Sequence, residues 1–125
     1  MKSLLLLLVS FSLWNDQPTM EGITKAISTG NATALEPYLD NSVEIAILDQ
    51  EEVYAKTQAV QILKTFFVKN KPTTFNQMHQ GQSRGKESVY CIGNLTTASG
   101  NFRVYLYMRI EDEKYFLQEM RFDKE

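Results

Sequence analysis

The strongest constraint on the fold is the alternation that runs through the last third of the chain, from Glu87 to Asp123. Three stretches, Glu87–Thr97, Asn101–Glu111 and Lys114–Phe122, each switch between apolar and polar residues in steps of two. That is the period of a half-buried strand. The joints, Ala98-Ser99-Gly100 and Asp112-Glu113, are short, so neighbouring strands are predicted to run antiparallel as a meander. The middle stretch is the clearest. Phe102, Val104, Leu106, Met108 and Ile110 share one face, and Arg103, Tyr105, Tyr107 and Arg109 share the other. The apolar face needs a cover, and the upstream sequence supplies it.

From Thr19 the period becomes helical, with Met20, Ile23, Ala26 and Ile27 recurring at three and four, up to a left-handed stop at Gly30. Asn31 is placed to cap a short second helix carrying Leu35, Tyr38 and Leu39, which Pro37 makes irregular. Val43–Leu48 reads as a strand, Asp49–Glu52 as an acidic turn, and Val53–Ala55 as a short returning strand. Lys56–Lys69 is the strongest helix, with Ala59, Ile62, Leu63, Phe66 and Phe67 in one stripe and Lys56, Gln61, Lys64 and Lys69 turned out. Asn70-Lys71-Pro72 ends it. Thr73–Gln82 alternates as a polar strand leading into the meander. Helices first and strands after predict an α+β fold, a curved antiparallel sheet wrapped around the helices as a cone. The expected core is Ile62, Leu63, Phe66, Phe67, Val104, Leu106 and Met108.

The chain has 125 residues, enough for one domain, placed here at residues 19–123. A net charge of −2 with interspersed signs argues against a nucleic-acid surface. With one cysteine, Cys91, and one histidine, His79, no internal disulfide can form and a Cys/His zinc site is nearly excluded. No metal, no cofactor and no stable membrane span is expected. Residues 1–14 open with Lys2 and continue through the apolar run Leu4–Val9 to Trp14. This is the length of a signal-peptide core and too short for a bilayer. The expectation is an exported protein, periplasmic or extracellular, although Ser10-Phe11-Ser12 marks a cleavage site poorly.

Four stretches carry a resemblance: Ile27-Ser28-Thr29-Gly30-Asn31-Ala32, Val53-Tyr54-Ala55-Lys56-Thr57-Gln58-Ala59, Ile62-Leu63-Lys64-Thr65-Phe66-Phe67 and Gly100-Asn101-Phe102-Arg103-Val104-Tyr105. They resemble a family of small exported bacterial proteins of unknown function in the nuclear transport factor 2-like superfamily. The resemblance spans nearly the whole chain after residue 14. It implies a cone of sheet and helices, often a dimer through the sheet, and no particular activity, since the superfamily holds both enzymes and binding modules.

Acid/base chemistry of isomerase or dehydratase type would need His79 as the base, paired with Tyr38, Tyr54 or Asp40 as the donor, inside the cone. Against this, His79 stands among glutamines and the inward phase of the second strand is wholly apolar. Arg103, Tyr105, Tyr107 and Arg109 form an aromatic and cationic stripe of the kind found at interfaces, joined by Tyr90 and Ile92 if the register permits. Glu119 or Glu87 can supply acceptors for its arginines. Cys91, with apolar neighbours, reads as a buried inert thiol. Asp49, Glu51 and Glu52 read as a solvated turn, lacking the glycine of a calcium loop. The sequence therefore favours a non-catalytic module that binds a small apolar ligand or a protein partner, with homodimerisation through the sheet. The alternative is a cone-pocket enzyme.

Overall fold

The computed structural model describes residues 20–85 and 87–125. The chain enters with α1 (Glu21–Ser28) and a single-turn α2 (Ala32–Leu35), followed by a 3-10 turn over Glu36–Tyr38. Then come β1 (Leu39–Ile47), β2 (Gln50–Ala55), α3 (Lys56–Lys69) and four long strands, β3 (Pro72–Gln82), β4 (Ser88–Thr97), β5 (Gly100–Glu111) and β6 (Lys114–Lys124). The result is the expected α+β cone. Gly30 stops α1 with φ +67°, and the Asn31 amide donates back to the Ala26 carbonyl at 2.8 Å. The Asn31 side chain accepts from the Ala34 amide, satisfying one of the free donors at the start of α2. Pro37 falls in the 3-10 turn, where its missing N–H costs little.

The six strands form one sheet in the order β2-β1-β6-β5-β4-β3. The meander β3–β6 is antiparallel throughout. The β1–β2 hairpin joins it by a parallel pairing of β1 with β6, so the sheet is mixed at that seam. The hairpin turns on Leu48 and Asp49 alone, because Ile47 pairs with Gln50 and Ala46 with Glu51. Glu51 and Glu52 are therefore strand residues, and the acidic turn read over Asp49–Glu52 is shorter than its composition indicated.

Irregularities bend the sheet. Tyr107 pairs with Glu119 but Met108 with Leu117, leaving Gln118 as an extra residue in β6. Leu117 and Met120 both face the core as a result, where strict alternation would have put one of them outside. The pairing of β1 with β6 also shifts, between Leu39 and Glu44.

The core lies between the inner face of the sheet and the helices. Leu63, Val104, Met108, Leu117, Met120 and Phe122 are fully buried. Phe66 sits at the centre of an aromatic cluster. Its ring centroid is 4.5 Å from that of Phe122 and 5.2 Å from that of Phe102, the latter nearly edge-on at 75°. Such contacts add to the area term. The expected core is buried apart from Ile62, which is only partly covered.

Candidate functional site

Two concave surfaces stand out, one on each face of the sheet. The first is a cleft of about 520 Å³ between the C-terminal half of α3 and strands β1, β2 and β5. Its walls are Ile45, Ile47, Tyr54, Ile62, Phe66 and Phe102. Ile62 is partly exposed because it lines this space. Ile45, Phe66 and Phe102 are buried, so the floor is apolar. The rim carries Lys69 and Asn70 from the end of α3, Lys124 from the end of β6, and Leu48, Asp49 and Gln50 from the hairpin. A volume in this range, roughly 300–1,000 Å³, is that of small-molecule sites.

Leu48 is the unusual member. It adopts φ 57°, the left-handed conformation that a branched residue rarely takes. Its amide is fixed by the Phe122 carbonyl at 3.0 Å, and half of its surface is exposed at the mouth. Two-residue hairpin turns normally place glycine or asparagine at such a position. An apolar side chain stands at the rim despite the backbone cost.

The second surface is a shallow trough of about 440 Å³ on the outer face. Tyr90 pairs with Tyr107, and Ile92 with Tyr105, so the register does join β4 to the tyrosine stripe. All three tyrosines are exposed. The Tyr90 ring lies across Gly81, the residue opposite it on β3. Any Cβ at Gly81 would meet that ring, so glycine lets it lie flat on the sheet. Glu119, Arg121 and Asp123 complete the trough.

The arginines of the stripe find other acceptors than expected. Arg103 pairs with Glu125 at 2.7 Å and its Nε donates to Asn94 Oδ1 at 3.3 Å. Arg109 is turned away from the tyrosines. It donates to both oxygens of Asp40 at 3.2 Å, contacts Glu111, and stacks on Phe116 with 4.7 Å from the guanidinium carbon to the ring centroid. Gln118, the extra residue of β6, also donates to Asp40, at 3.1 Å. Asp40 thus ties the irregular start of β1 to the bulge in β6.

The residues considered for acid/base chemistry do not come together. His79 is exposed on β3, at one edge of the sheet, and Tyr54 is on β2, at the other. Asp40 is occupied by Arg109. Tyr38 packs over Gly22 of α1. Only Tyr54 of this set lines the cleft. The residues that sequence reading missed there are Leu48, Lys69, Phe102 and Lys124. Leu48 was read as the last residue of the strand Val43–Leu48, but the strand ends at Ile47 and Leu48 falls in the turn. Cys91 is buried, and desolvation pushes its thiol up to about 11, which fits an inert core residue.

The hydrogen bonds from Arg109 hold Asp40 below its ordinary value of 3.8. A lowered carboxylate stabilises the fold above its unfolded pKa, and that contribution disappears as pH falls through the folded value. Glu44 is shifted the other way, raised above 4.5, chiefly by a side-chain hydrogen bond with Glu51 and then by desolvation and the charges of Glu51 and Glu119. Its ionised form is disfavoured in the fold, so it opposes stability at neutral pH, and protonation removes the penalty. Asp40→Asn is therefore expected to cost about 1–2 kcal/mol at pH 7, fading in acid below the usual carboxylate range. Glu44→Gln is expected to stabilise at pH 7 and to do nothing at acid pH. Denaturant unfolding of both variants at neutral and acid pH checks the two signs.

A curved sheet wrapped around helices, with a cleft between the long helix and the sheet, is a nuclear transport factor 2-like fold. An NTF2-like protein of unknown function from Cytophaga hutchinsonii shares the fold at TM-score 0.61 and 10% identity, covering 90% of this chain and 95% of that one. Within the class, the chain belongs to the family described as Domain of unknown function (DUF4783), matched over residues 20–123. A DUF4783 family protein from Bacteroides uniformis is 36% identical at TM-score 0.79, over 84% of this chain and 95% of that one. Another from Bacteroides ovatus is 31% identical at TM-score 0.81, over 88% and 98%. No curated protein matches the chain.

Proposed function

We propose that the protein is a non-catalytic exported module that binds a small apolar ligand in the mouth of its cone. The observation that carries this reading is the cleft of about 520 Å³ with an apolar floor of Ile45, Phe66 and Phe102. An acid/base enzyme needs a carboxylate or imidazole at the base of such a space. Here the carboxylate in the lining is Asp49, in the exposed turn at the rim. Leu48 supports binding as well, since strain held at a mouth residue is typical of functional positions.

Leu48→Gly separates binding from stability. Relief of left-handed strain, about 1–2 kcal/mol, is offset by about 0.5–1 kcal/mol of glycine chain entropy, so stability should change by less than about 1 kcal/mol. Affinity for an apolar probe such as decanol should fall about fivefold, because the ligand loses part of one leucine contact. Calorimetric titration beside denaturant unfolding makes the check. A variant that binds decanol as well as the parent protein removes Leu48 from the site.

The tyrosine trough favours a second reading, a homodimer through the outer face. Tyr90, Tyr105 and Tyr107 are exposed, and a tyrosine can bury its ring against a partner while its hydroxyl stays hydrogen-bonded; the alternating Glu119, Arg121 and Asp123 suit a two-fold contact. Light scattering should then give twice the chain mass for the parent protein and the chain mass for Tyr105→Asp. A parent protein that stays monomeric at high concentration removes this reading.

The proposed site of action, outside the cytoplasm, rests on residues 1–14, which lie outside the described residues. In a Gram-negative host the recovered protein should be shortened by about a dozen residues, the length of such a segment. An intact Met1 on a cytoplasmic product would contradict it.

A further inference from the structure

We propose that the ligand of the cleft is an amphipathic anion, an apolar body with one carboxylate head held at the rim between Lys69 and Lys124. This rests on the cleft reading above and adds the chemistry of the head group. Lys69 ends α3 and Lys124 ends β6, yet the β4–β5 turn gathers them to one lip. Ser99 Oγ donates to the Lys69 carbonyl at 2.9 Å, and Lys124 Nζ donates to the Ser99 carbonyl at 3.0 Å. The same Nζ stands 4.9 Å from the centroid of Phe102, a wall of the cleft.

An ammonium carries three donors and no acceptor. Among the described residues, no carboxylate forms a salt bridge with either lysine. Asp49 lines the same cleft from the hairpin, so the lining carries two positive charges against one negative. That asymmetry places an anionic head on the α3 side and leaves a cationic head facing two lysines. The apolar floor decides the rest of the ligand. An inorganic anion would gain only exposed ion pairs, which are weak. An anion with an apolar tail fills the cleft and, by excluding water there, strengthens the pairing at the rim.

The test compares three probes of equal chain length below their micelle concentrations: decanoate, decanol and decyltrimethylammonium. Titration calorimetry is run on the whole protein and on the double variant K69M/K124M, which keeps the aliphatic stems and so the packing on Phe102. Decanoate is expected to bind about tenfold tighter than decanol, with the advantage shrinking at high salt and vanishing in K69M/K124M. Decanol affinity should change far less than decanoate affinity between the two proteins. Equal binding of decanoate and decanol by the parent protein would overturn the head-group assignment while leaving the apolar cleft intact. So would a decanoate preference that survives K69M/K124M, or tightest binding of the cation. Failure of all three probes to bind would remove the cleft reading and this one together.

Discussion

Phe66→Ala should lower the free energy of unfolding by about 3–5 kcal/mol, the range for a buried phenylalanine removed without collapse of its surroundings. Three features of the site support the upper part of that range. The ring is 4% exposed, so nearly all of its area is lost from contact with water. It touches Phe67, Phe102 and Phe122 at once, so the deletion removes aromatic pairings from α3, β5 and β6 together. It also borders the cleft, so the vacated space joins an existing opening and the walls have little cause to close over it. For a domain whose total stability is about 5–15 kcal/mol, this is a large fraction. Denaturant unfolding measures it. A loss below about 1 kcal/mol would mean that α3 does not anchor the sheet.

Gly30→Val should be the most damaging change outside the core. A β-branched residue at φ +67° costs about 1–3 kcal/mol through the backbone alone. The added Cβ would also stand 2.8 Å from Pro72 Cδ and 3.5 Å from Phe67 Cβ. Pro72 opens β3 and is held by its ring, so it cannot swing aside as a flexible chain would, and overpacking of this kind adds about 1–3 kcal/mol. Gly30→Asn is the informative control. Asparagine tolerates the left-handed region but still brings the Cβ, so its smaller loss isolates the contact with Pro72. Equal losses for asparagine and valine would show that conformation plays no part there.

The sequence carried the local structure well because local structure is where period and turn chemistry act. Lys56–Lys69 is helical over the span that its apolar stripe marked, and Asn31 and Gly30 cap as their chemistry requires. Asp112 and Glu113 turn with φ 52° and 62°, as a two-residue hairpin joint must. What was not legible is non-local. Nothing in the alternation of β1 or β6 says that they pair with each other, or that the pairing is parallel. An alternating strand also looks the same on either side of an extra residue, so the bulge at Gln118 was invisible. With it went the reason why Arg109 leaves the tyrosine stripe for Asp40. The cleft is a product of the same long-range packing. Lys69 and Lys124 are 55 positions apart in the numbering and come to one cleft where Ser99 of the β4–β5 turn bonds the Lys69 carbonyl and the Lys124 ammonium. Tyr105 and Tyr107, by contrast, share a face through period two within β5 and were readable there, while Tyr90 joins them only through the β4–β5 register.

The central claim is that the mouth of the cone takes an apolar ligand, and its most direct test is a nuclear magnetic resonance titration of the labelled protein with decanol. Progressive, saturable shifts are expected at Ile47, Leu48, Ile62, Phe66 and Phe102, with Tyr90, Tyr105 and Tyr107 unmoved. Shifts confined to the three tyrosines, or no saturable shifts up to the solubility limit of the probe, would contradict it.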